Sequence, residues 1–229
     1  MNRFIKTSKA AWLVACAVLT TACFAVAEDK KADAVKKDAK QEDGWITLFN
    51  GKDLSGWKAN ERPEQWKVAD GAIVAHGERS HLFYVGDDEA KPAEFENFHL
   101  KVELMTKPSA NSGIYFHTKF QPDGWPSVGY ECQVNNSHGD PVKTASLYNT
   151  VKNLKAPAKD NEWFTEEIIV EGKQVVTKVN GETIVEYTEP ADKQGTVKLG
   201  KGLFALQAHD PGSTVLYRSI KVKPLDGKK

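Results

Sequence analysis

Residues 175–187 read Val-Val-Thr-Lys-Val-Asn-Gly-Glu-Thr-Ile-Val-Glu-Tyr, two β-branched runs joined by Asn180 and Gly181. An Asn-Gly pair tolerates the positive φ angles of a type I′ turn, which joins neighbouring antiparallel strands. The stretch therefore predicts a β-hairpin. Residues 66–75 repeat the pattern, with Asp70-Gly71 between two short apolar runs.

The rest of the chain after Gly44 has the same texture. Short apolar or alternating runs are separated by Gly, Pro, Asn and Asp, and no helical periodicity extends beyond two turns. Further strands are predicted at residues 98–105, 113–120, 130–134, 164–171, 202–208 and 215–222. No repeat of fixed period is present, which argues against a solenoid or propeller. The pattern is typical of an all-β sandwich.

The first 27 residues resemble a secretory signal. Basic residues precede an apolar run over residues 10–19, and Ala25-Val26-Ala27 matches an A-x-A cleavage site. A membrane anchor is the alternative, but the run is shorter than the ~20 residues that a spanning helix needs. We therefore expect a signal peptide at residues 1–27, a periplasmic or extracellular location and no spanning segment in the mature chain.

The cysteines bear on both export and stability. Cys16 and Cys23 lie within the predicted signal, so Cys132 is the only thiol expected after cleavage, and an intramolecular disulfide is then excluded. Lipidation at Cys23 is an alternative to plain cleavage. Thr20, however, stands where a bacterial lipoprotein signal usually has an aliphatic residue.

Residues 28–43 are almost entirely charged or small, with a single aliphatic residue larger than Ala. Such a segment cannot bury enough apolar surface to offset its ordering entropy, so a flexible tether is predicted, with a solvated helix as the alternative. The chain after residue 27 holds 28 basic and 31 acidic residues. A net charge of −3 gives no indication of a nucleic-acid or anionic-membrane partner.

Three predicted strands divide into an apolar and a polar row, because side chains alternate faces along a strand. The polar rows contain amides, imidazoles and a single carboxylate, the groups that suit a sugar: Asn111, Tyr115, His117, Glu131, Gln133, Asn135, Gln207 and His209. Two interpretations stay open at this point. The rows converge on one binding surface, or they face water as the outer side of any antiparallel sheet does.

Four motifs connect these rows to a known family. They are Leu-Phe-Asn-Gly-Lys-Asp-Leu-Ser-Gly-Trp at 48–57, Asn-Ser-Gly-Ile-Tyr-Phe at 111–116, Gly-Tyr-Glu-Cys-Gln-Val at 129–134 and Leu-Gln-Ala-His at 206–209. With them, the chain from about Asp43 to its C-terminus resembles the 3-keto-disaccharide hydrolase domain family. The resemblance implies a concanavalin A-like jelly-roll sandwich of two antiparallel sheets, with carbohydrate bound on a concave face and the domain occupying residues 44–229.

The resemblance also implies a reaction. A ketone at carbon 3 of a sugar acidifies the hydrogen on carbon 2, so one base abstracts it, the aglycone leaves carbon 1, and water adds to the unsaturated product. Glu131 or His209 is expected to be the base, and His117, Gln207, Asn111 or a divalent metal ion held among them the enolate stabiliser. A Glu-x-Asp-x-x-Glu pattern is absent, which argues against a two-carboxylate glycosidase.

Several further residues are left with alternatives. Trp125 either stacks on a sugar ring or plugs its loop. His117 stands where many family members have Arg, and Asn135 or Asn136 where they often have Asp. Asp210 either orients His209 or starts the following turn, and the turn is favoured. His76, His81, His99 and His138 have no partner that the sequence identifies.

Three functions compete. The leading one is an exported enzyme that cleaves 3-keto-glycosides, supplied by a separate glycoside 3-dehydrogenase, because the chain lacks a Gly-x-Gly-x-x-Gly fingerprint of its own. The second is a non-catalytic carbohydrate-binding module or lectin. The third is an interaction domain tethered to the cell envelope, which would show an exposed apolar patch in place of a polar cleft.

Overall fold

The computed structural model describes residues 44–227. The predicted signal peptide, residues 1–27, and the predicted tether, residues 28–43, lie outside the described residues. No helix in the described range is long and apolar enough to cross a membrane.

Strands dominate the described range, and helix is confined to one 3₁₀ turn at Pro63–Gln65. The strands are β1 (Ile46–Thr47), β2 (Trp57–Ala59), β3 (Trp66–Ala69), β4 (Ala72–His76), β5 (Ser80–Tyr84), β6 (Phe98–Thr106), β7 (Ser112–Thr118), β8 (Tyr130–Val134), β9 (Phe164–Glu171), β10 (Gln174–Val179), β11 (Glu182–Thr188), β12 (Leu203–Ala208) and β13 (Thr214–Pro224). Every strand predicted from the sequence is present. The short strands β1 and β2, and β5, were not predicted.

The strands form two antiparallel sheets. Sheet A has the order β11-β10-β9-β6-β13-β4-β3, with β1 paired to β13 as well. Sheet B has the order β2-β5-β12-β7-β8. Most neighbouring strands in sheet B are distant in sequence, and the pairing of Ser80 with Ala208 joins the most widely separated of them. The predicted all-β, concanavalin A-like jelly-roll sandwich is confirmed.

The hairpin at residues 175–187 forms as predicted. Asn180 and Gly181 have φ angles of 50° and 82°, and Val179 pairs with Glu182 across the turn. Asp70 and Gly71 repeat the geometry with φ angles of 50° and 74°. Both turns therefore have the positive φ angles that their residue types favour.

The hydrophobic core lies between the two sheets. Alternate residues of β6 and β9 in sheet A, among them Leu100 and Ile168, are fully buried with Ile114, Phe116 and Leu206 of sheet B. Burial of apolar side chains on this scale stabilises the fold by about 25 cal/mol per Å² removed from water. No disulfide contributes among the described residues, where Cys132 is a buried free thiol.

The outer face of sheet B does not face water. Asn111, Tyr115, Gln133 and Gln207 point away from the core and are nevertheless at most 5% exposed. Residues of the loops that follow β7, β8 and β11 lie over this face. The interpretation of the polar rows as an ordinary solvent-exposed face is therefore wrong, because the loops bury them.

Candidate functional site

The register of sheet B places the polar residues side by side. Across four neighbouring strands, Gln133 pairs with Gly113, and Gln207 pairs with His81. One step along, Glu131 pairs with Tyr115, which also pairs with Ala205. Segments distant in sequence thus contribute to one continuous polar surface, which explains why no local spacing in the sequence marks the site.

A cavity of about 370 Å³ opens over this surface. The residues that line it come from β7, β8 and β12 and from the covering loops: Asn111, Tyr115, Trp125, Pro126, Gly129, Glu131, Gln133, Asp140, Tyr148, Asn149, Val197, Gln207 and His209. Seven of the nine residues predicted for the site are in this set. His117 and Asn135 are not.

Glu131 is held by two donors on neighbouring strands. The Tyr115 hydroxyl donates to Oε2 over 2.9 Å, and the Gln207 amide donates to Oε1 over 3.0 Å and also to the Tyr115 oxygen over 3.0 Å. Burial raises the pKa of Glu131 to about 7, although these two hydrogen bonds lower it. The carboxyl group is therefore fixed in orientation and poised to exchange a proton near neutral pH.

Gly113 provides the space that the Glu131 carboxyl group occupies. A Cβ atom at this position would overlap Oε1 and Cγ of Glu131. Glycine at this point of β7 is required by close approach of a side chain, since its φ angle is not positive. Within the Asn-Ser-Gly segment, the glycine therefore contributes to the site by leaving room for the Glu131 carboxyl group.

A second set of contacts connects Asn111, Gln133 and His209. The Gln133 amide donates to Oδ1 of Asn111 over 2.8 Å, which turns Nδ2 of Asn111 toward Nε2 of His209 at 3.4 Å. Nδ1 of His138 lies 3.5 Å from the same amide nitrogen. Asn111 therefore directs its N–H groups to the imidazole of His209, which lines the cavity, and to that of His138, which does not.

Asp210 both starts a turn and orients His209. Its Oδ1 accepts from the Gly212 N–H over 2.9 Å, while its Oδ2 lies 2.9 Å from Nδ1 of His209 and accepts from the Ser213 hydroxyl over 2.6 Å. Burial acts to raise the pKa of Asp210, but these hydrogen bonds outweigh burial and lower it. The two functions that the sequence left as alternatives coexist, since each oxygen takes one of them.

His117 is turned away from the cavity by a β-bulge. Leu203 pairs with Thr118 and Ala205 with Tyr115, so β7 contains one extra residue at a point where His117 has a φ angle of 55°. The ring then lies 2.8 Å from the carbonyl oxygen of Glu96 and accepts from the Gly200 N–H over 3.1 Å. Strand alternation predicted the wrong face because it assumes an unbroken ladder.

Asn135 also points away from the cavity and hydrogen-bonds the loop that follows β8. Its amide donates to the carbonyl oxygens of Asp140 and Val142 at 2.9 and 2.8 Å, and its Oδ1 accepts from the His138 N–H. The side chain is fully buried beneath the loop that it braces. Asn135 therefore shapes the cavity wall without contributing to its surface.

Trp125 borders the cavity as the sequence suggested. Its indole is 43% exposed, and its ring centroid lies 5.3 Å from that of His209 and 5.4 Å from that of His81. The guanidinium carbon of Arg79 lies 5.7 Å from the indole centroid. The half-exposed indole leaves one aromatic surface facing the cavity and solvent.

Asp140 corrects the expectation of a single carboxylate. It lines the cavity together with Glu131, although one of its oxygens accepts from the Val142 N–H over 2.7 Å. Tyr148 and Asn149 were also missed, because they follow β8 in a loop that no periodic pattern marks. Among residues 44–227, no three His, Cys, Asp or Glu side chains are grouped so as to hold a metal ion.

Of the four histidines without a recognised partner, three have one. Nε2 of His99 lies 2.7 Å from Glu167, Nδ1 of His76 lies 2.8 Å from the Thr214 hydroxyl, and Nδ1 of His138 accepts from the Asp140 N–H over 3.0 Å. These contacts are made across strands or within the loop after β8. The backbone of His81 is bonded to Asn60, but neither nitrogen of its ring has a hydrogen-bond partner in the described part of the chain.

Comparison with known proteins identifies the family. The 3-keto-alpha-glucoside-1,2-lyase-like domain matches residues 44–223. The chain belongs to this family. A 3-keto-disaccharide hydrolase of Bacteroides thetaiotaomicron is 27% identical in an alignment that is 253 positions long, gaps included, and covers 88% of this chain and 87% of the relative.

Two solved structures support the architecture. One, described as a "putative glycosyl hydrolase" of Parabacteroides distasonis, superposes with a TM-score of 0.68 at 24% identity, covering 91% of this chain and 99% of the other. A non-specific endo-β-1,3(4)-glucanase of family GH16 superposes with a TM-score of 0.52 at 15% identity, covering 79% and 91%. At these identities the likeness concerns the fold.

Proposed function

We propose that this chain is an exported carbohydrate-active enzyme that cleaves 3-keto-glycosides, disaccharides among them, by elimination followed by hydration. Membership of the lyase-like family and the named activity of the Bacteroides relative support the substrate class. One observation carries the proposal: Glu131, a carboxyl group with its pKa raised to about 7, is held by two donors at a cavity whose other polar groups are mainly amides and hydroxyls, with one imidazole and Asp140.

Glu131 is assigned as the base. The ideal pKa of a general base lies near the working pH, and burial brings that of Glu131 to about 7. Its carboxylate removes the proton from carbon 2 of the keto-sugar, and the electron pair forms the enolate of the C3 ketone. Burial raises the pKa of Tyr115, so its hydroxyl stays protonated and continues to donate to Glu131.

His209 is assigned to the leaving group. Asp210 fixes the ring through Nδ1, so Nε2 faces the cavity beside the Asn111 amide. This step requires His209 with a proton on each ring nitrogen, so that Nδ1–H donates to Asp210, Nε2–H donates to the glycosidic oxygen, and the Asn111 amide turns from Nε2 to the substrate. As the bond from carbon 1 to the glycosidic oxygen breaks, the electron pair leaves with that oxygen, which takes the Nε2 proton, while Glu131 holds the proton from carbon 2. Water then adds across the carbon 1–carbon 2 double bond, which gives the reducing 3-keto-sugar.

Asn111 is assigned to enolate stabilisation. The Gln207 N–H groups already donate to Glu131 and Tyr115, and His117 is bonded elsewhere, whereas Nδ2 of Asn111 makes only long contacts of 3.4 and 3.5 Å. An amide N–H aimed at a developing oxyanion stabilises it more strongly in a water-poor cavity than in bulk water. The divalent metal that the sequence suggested stays a prediction, and no step is assigned to it.

A second candidate follows from Asp140. Two carboxyl groups at one cavity are the equipment of an ordinary glycosidase, in which Glu131 would protonate the leaving oxygen and Asp140 would attack or activate water. That enzyme would cleave an unoxidised glycoside. It would also lose most of its activity in Asp140→Asn, whereas the elimination mechanism needs Asp140 only for its turn.

The deciding experiment compares a 3-keto-disaccharide with its unoxidised parent, with and without chelator, and measures release of reducing sugar. We expect turnover of the keto form alone, retained in Asp140→Asn and lost in Glu131→Gln. Turnover of the unoxidised sugar would support the two-carboxylate enzyme. Binding of sugar without any turnover would support a carbohydrate-binding module. Loss of activity in the presence of chelator would show that the enzyme also requires a divalent metal ion.

Two further parts of the proposal have separate tests. Fractionation of the native host should recover the protein from the periplasm or medium, shortened by the 27 residues of the signal. Recovery with a lipid on Cys23 would instead show that the protein is a membrane-anchored lipoprotein. A separate glycoside 3-dehydrogenase must supply the ketone. Adding such an enzyme with its acceptor to the unoxidised disaccharide should restore cleavage.

A further inference from the structure

His81 occupies an unusual position beside the cavity. It lies on β5 directly opposite Gln207 of β12, and its ring is fully buried between Tyr115 and Trp125, at centroid distances of 5.3 and 5.4 Å. Within residues 44–227, neither ring nitrogen has a hydrogen-bond partner, and Oε1 of Gln207 has none either. Three unpaired polar atoms therefore lie on two neighbouring side chains.

Such a cluster is costly in a folded protein. A buried polar atom without a partner destabilises the folded state, and about 90% or more of such groups are paired in native structures. The amide of Gln207 cannot relieve the strain by flipping, because its carbonyl oxygen would then face the Glu131 carboxyl group. The cost indicates that these atoms acquire partners in another state of the protein.

The unpaired atoms match a sugar hydroxyl group. A neutral imidazole offers one donor and one acceptor, and the Gln207 carbonyl oxygen offers a further acceptor. His81 is neutral because burial lowers its pKa to about 3. A hydroxyl group both donates and accepts, so one or two vicinal hydroxyls would satisfy all three atoms.

Trp125 is the group that covers this position. Its loop is held together internally, since the Gln121 side chain donates to the carbonyl oxygens of Asp123 and Trp125 and accepts from the Ser127 N–H. Two hydrogen bonds join this loop to the β2–β3 connection: the Gly124 N–H donates to Glu61 over 3.1 Å, and the Asn60 amide donates to the Gly124 carbonyl oxygen over 3.4 Å. Movement of the loop as a unit would break these two hydrogen bonds and the contacts of Trp125 with His81, His209 and Arg79, and it would leave the internal hydrogen bonds of the loop intact.

The spacing of the strands fixes where the position lies relative to the reaction. Neighbouring strands are about 4.7–4.9 Å apart, so His81 is two strand spacings, about 10 Å, from Gly113, over which the Glu131 carboxyl group lies. We propose that the ring of His81 and the side-chain oxygen Oε1 of Gln207 form a hydroxyl-binding subsite beneath Trp125. It would hold the second sugar unit of a disaccharide, one ring removed from the reacting carbon. This inference rests on the proposed function.

The kinetic test removes the nitrogens of His81 and keeps an aromatic ring. The purified His81→Phe variant should lose about 10- to 100-fold in kcat/KM on a 3-keto-disaccharide, the range of one or two lost hydrogen bonds to substrate. On phenyl 3-keto-glucoside, which has no hydroxyls on its leaving group, it should stay within about threefold of the parent. Equal losses on both substrates, or none on either, would overturn the subsite.

The stability of the same variant separates a binding role from a core role. Because His81→Phe removes two unpartnered polar atoms, its melting temperature should equal or exceed that of the parent while its use of the disaccharide falls. A variant that melts lower and loses activity on both substrates would instead show that His81 is a packing residue.

A spectroscopic test works on the unchanged protein and does not need turnover. With ¹⁵N-labelled histidine, the ring nitrogens of His81 should shift on addition of the unoxidised disaccharide and stay in place with glucose alone. If neither keto substrate is turned over, the proposed function fails while this shift still supports the subsite. A His81 signal that ignores the disaccharide overturns the subsite whatever the turnover.

Discussion

Glu131 and Glu166 lie on opposite sides of sheet B, and burial raises the pKa of both, to about 7 and about 8. Glu131 lies on the cavity side and accepts hydrogen bonds from Tyr115 and Gln207. Glu166 lies in the core, where its Oε1 accepts from the weakly donating Cys132 thiol over 2.9 Å, and a backbone contact with Ala145 also lowers its pKa. It has no strong side-chain donor among the described residues and does not line the cavity. A shifted pKa alone therefore reports burial, and a catalytic carboxylate additionally needs oriented donors and room for a substrate.

The largest expected effect separates the two carboxyl groups by activity. Glu131→Gln should lower kcat on a 3-keto-disaccharide by about 10²- to 10⁴-fold, because the general base is lost while the shape is kept. Glu166→Gln should stay within about threefold, since nothing in the mechanism reaches it. Initial rates of both variants decide this. Comparable losses would remove the distinction between the two regions.

A smaller effect is expected from moving Glu131 without changing it. Gly113→Ala forces the carboxyl group away from its position, and a displacement of about 1 Å costs up to 10²-fold in rate. The matched control is Gly200→Ala, whose new methyl group meets open space. Steady-state kinetics should show a fall in kcat for the first variant alone. Full activity in Gly113→Ala would mean that the position of Glu131 is not critical.

The hydrogen bond from Tyr115 should set the pH at which Glu131 acts. This bond lowers the pKa of Glu131, so Tyr115→Phe raises it. Since the base must be unprotonated, the acidic limb of kcat/KM against pH should move upward by about one unit, which corresponds to about 1.4 kcal/mol. Tyr84→Phe, in a tyrosine that does not line the cavity, should leave the limb unchanged. A limb that stays put or moves to lower pH in Tyr115→Phe contradicts the assignment.

The smallest effect concerns stability, where the two carboxyl groups should behave alike. A carboxyl whose folded pKa is raised stabilises the folded state below its unfolded pKa of about 4.5, and this contribution is lost as pH rises to the folded pKa. The free energy of unfolding of Glu166→Gln, taken relative to that of the parent, should therefore rise by about 1–3 kcal/mol when the pH is raised from 5 to 8. For Glu131→Gln the rise should be similar or smaller. Urea unfolding at both pH values measures this. If the stability of these variants relative to the parent fell as the pH rose, the pKa of the carboxyl group would be lowered by folding, contrary to this prediction.

The regular parts of the fold could be predicted from the sequence because they depend on near neighbours. The Asn180-Gly181 hairpin and the alternation along β6 follow from turn chemistry and a two-residue period. Strand β5 was missed because Ser-His-Leu-Phe-Tyr is buried on both faces, so its pattern does not alternate. His117 was placed on the wrong face because a bulge breaks the period that the prediction assumed.

By itself, the sequence determined most of the strands, the family motifs and the residue types that the site uses, because each is encoded within a few neighbouring positions. Only the tertiary structure decided which polar residues meet. Gly113 under Glu131, Asp210 on His209, and Asp140 at the cavity each depend on strand register or loop closure between distant segments. The physical reason is that register and loop position are set by the packing of the whole sandwich, and no local pattern records them.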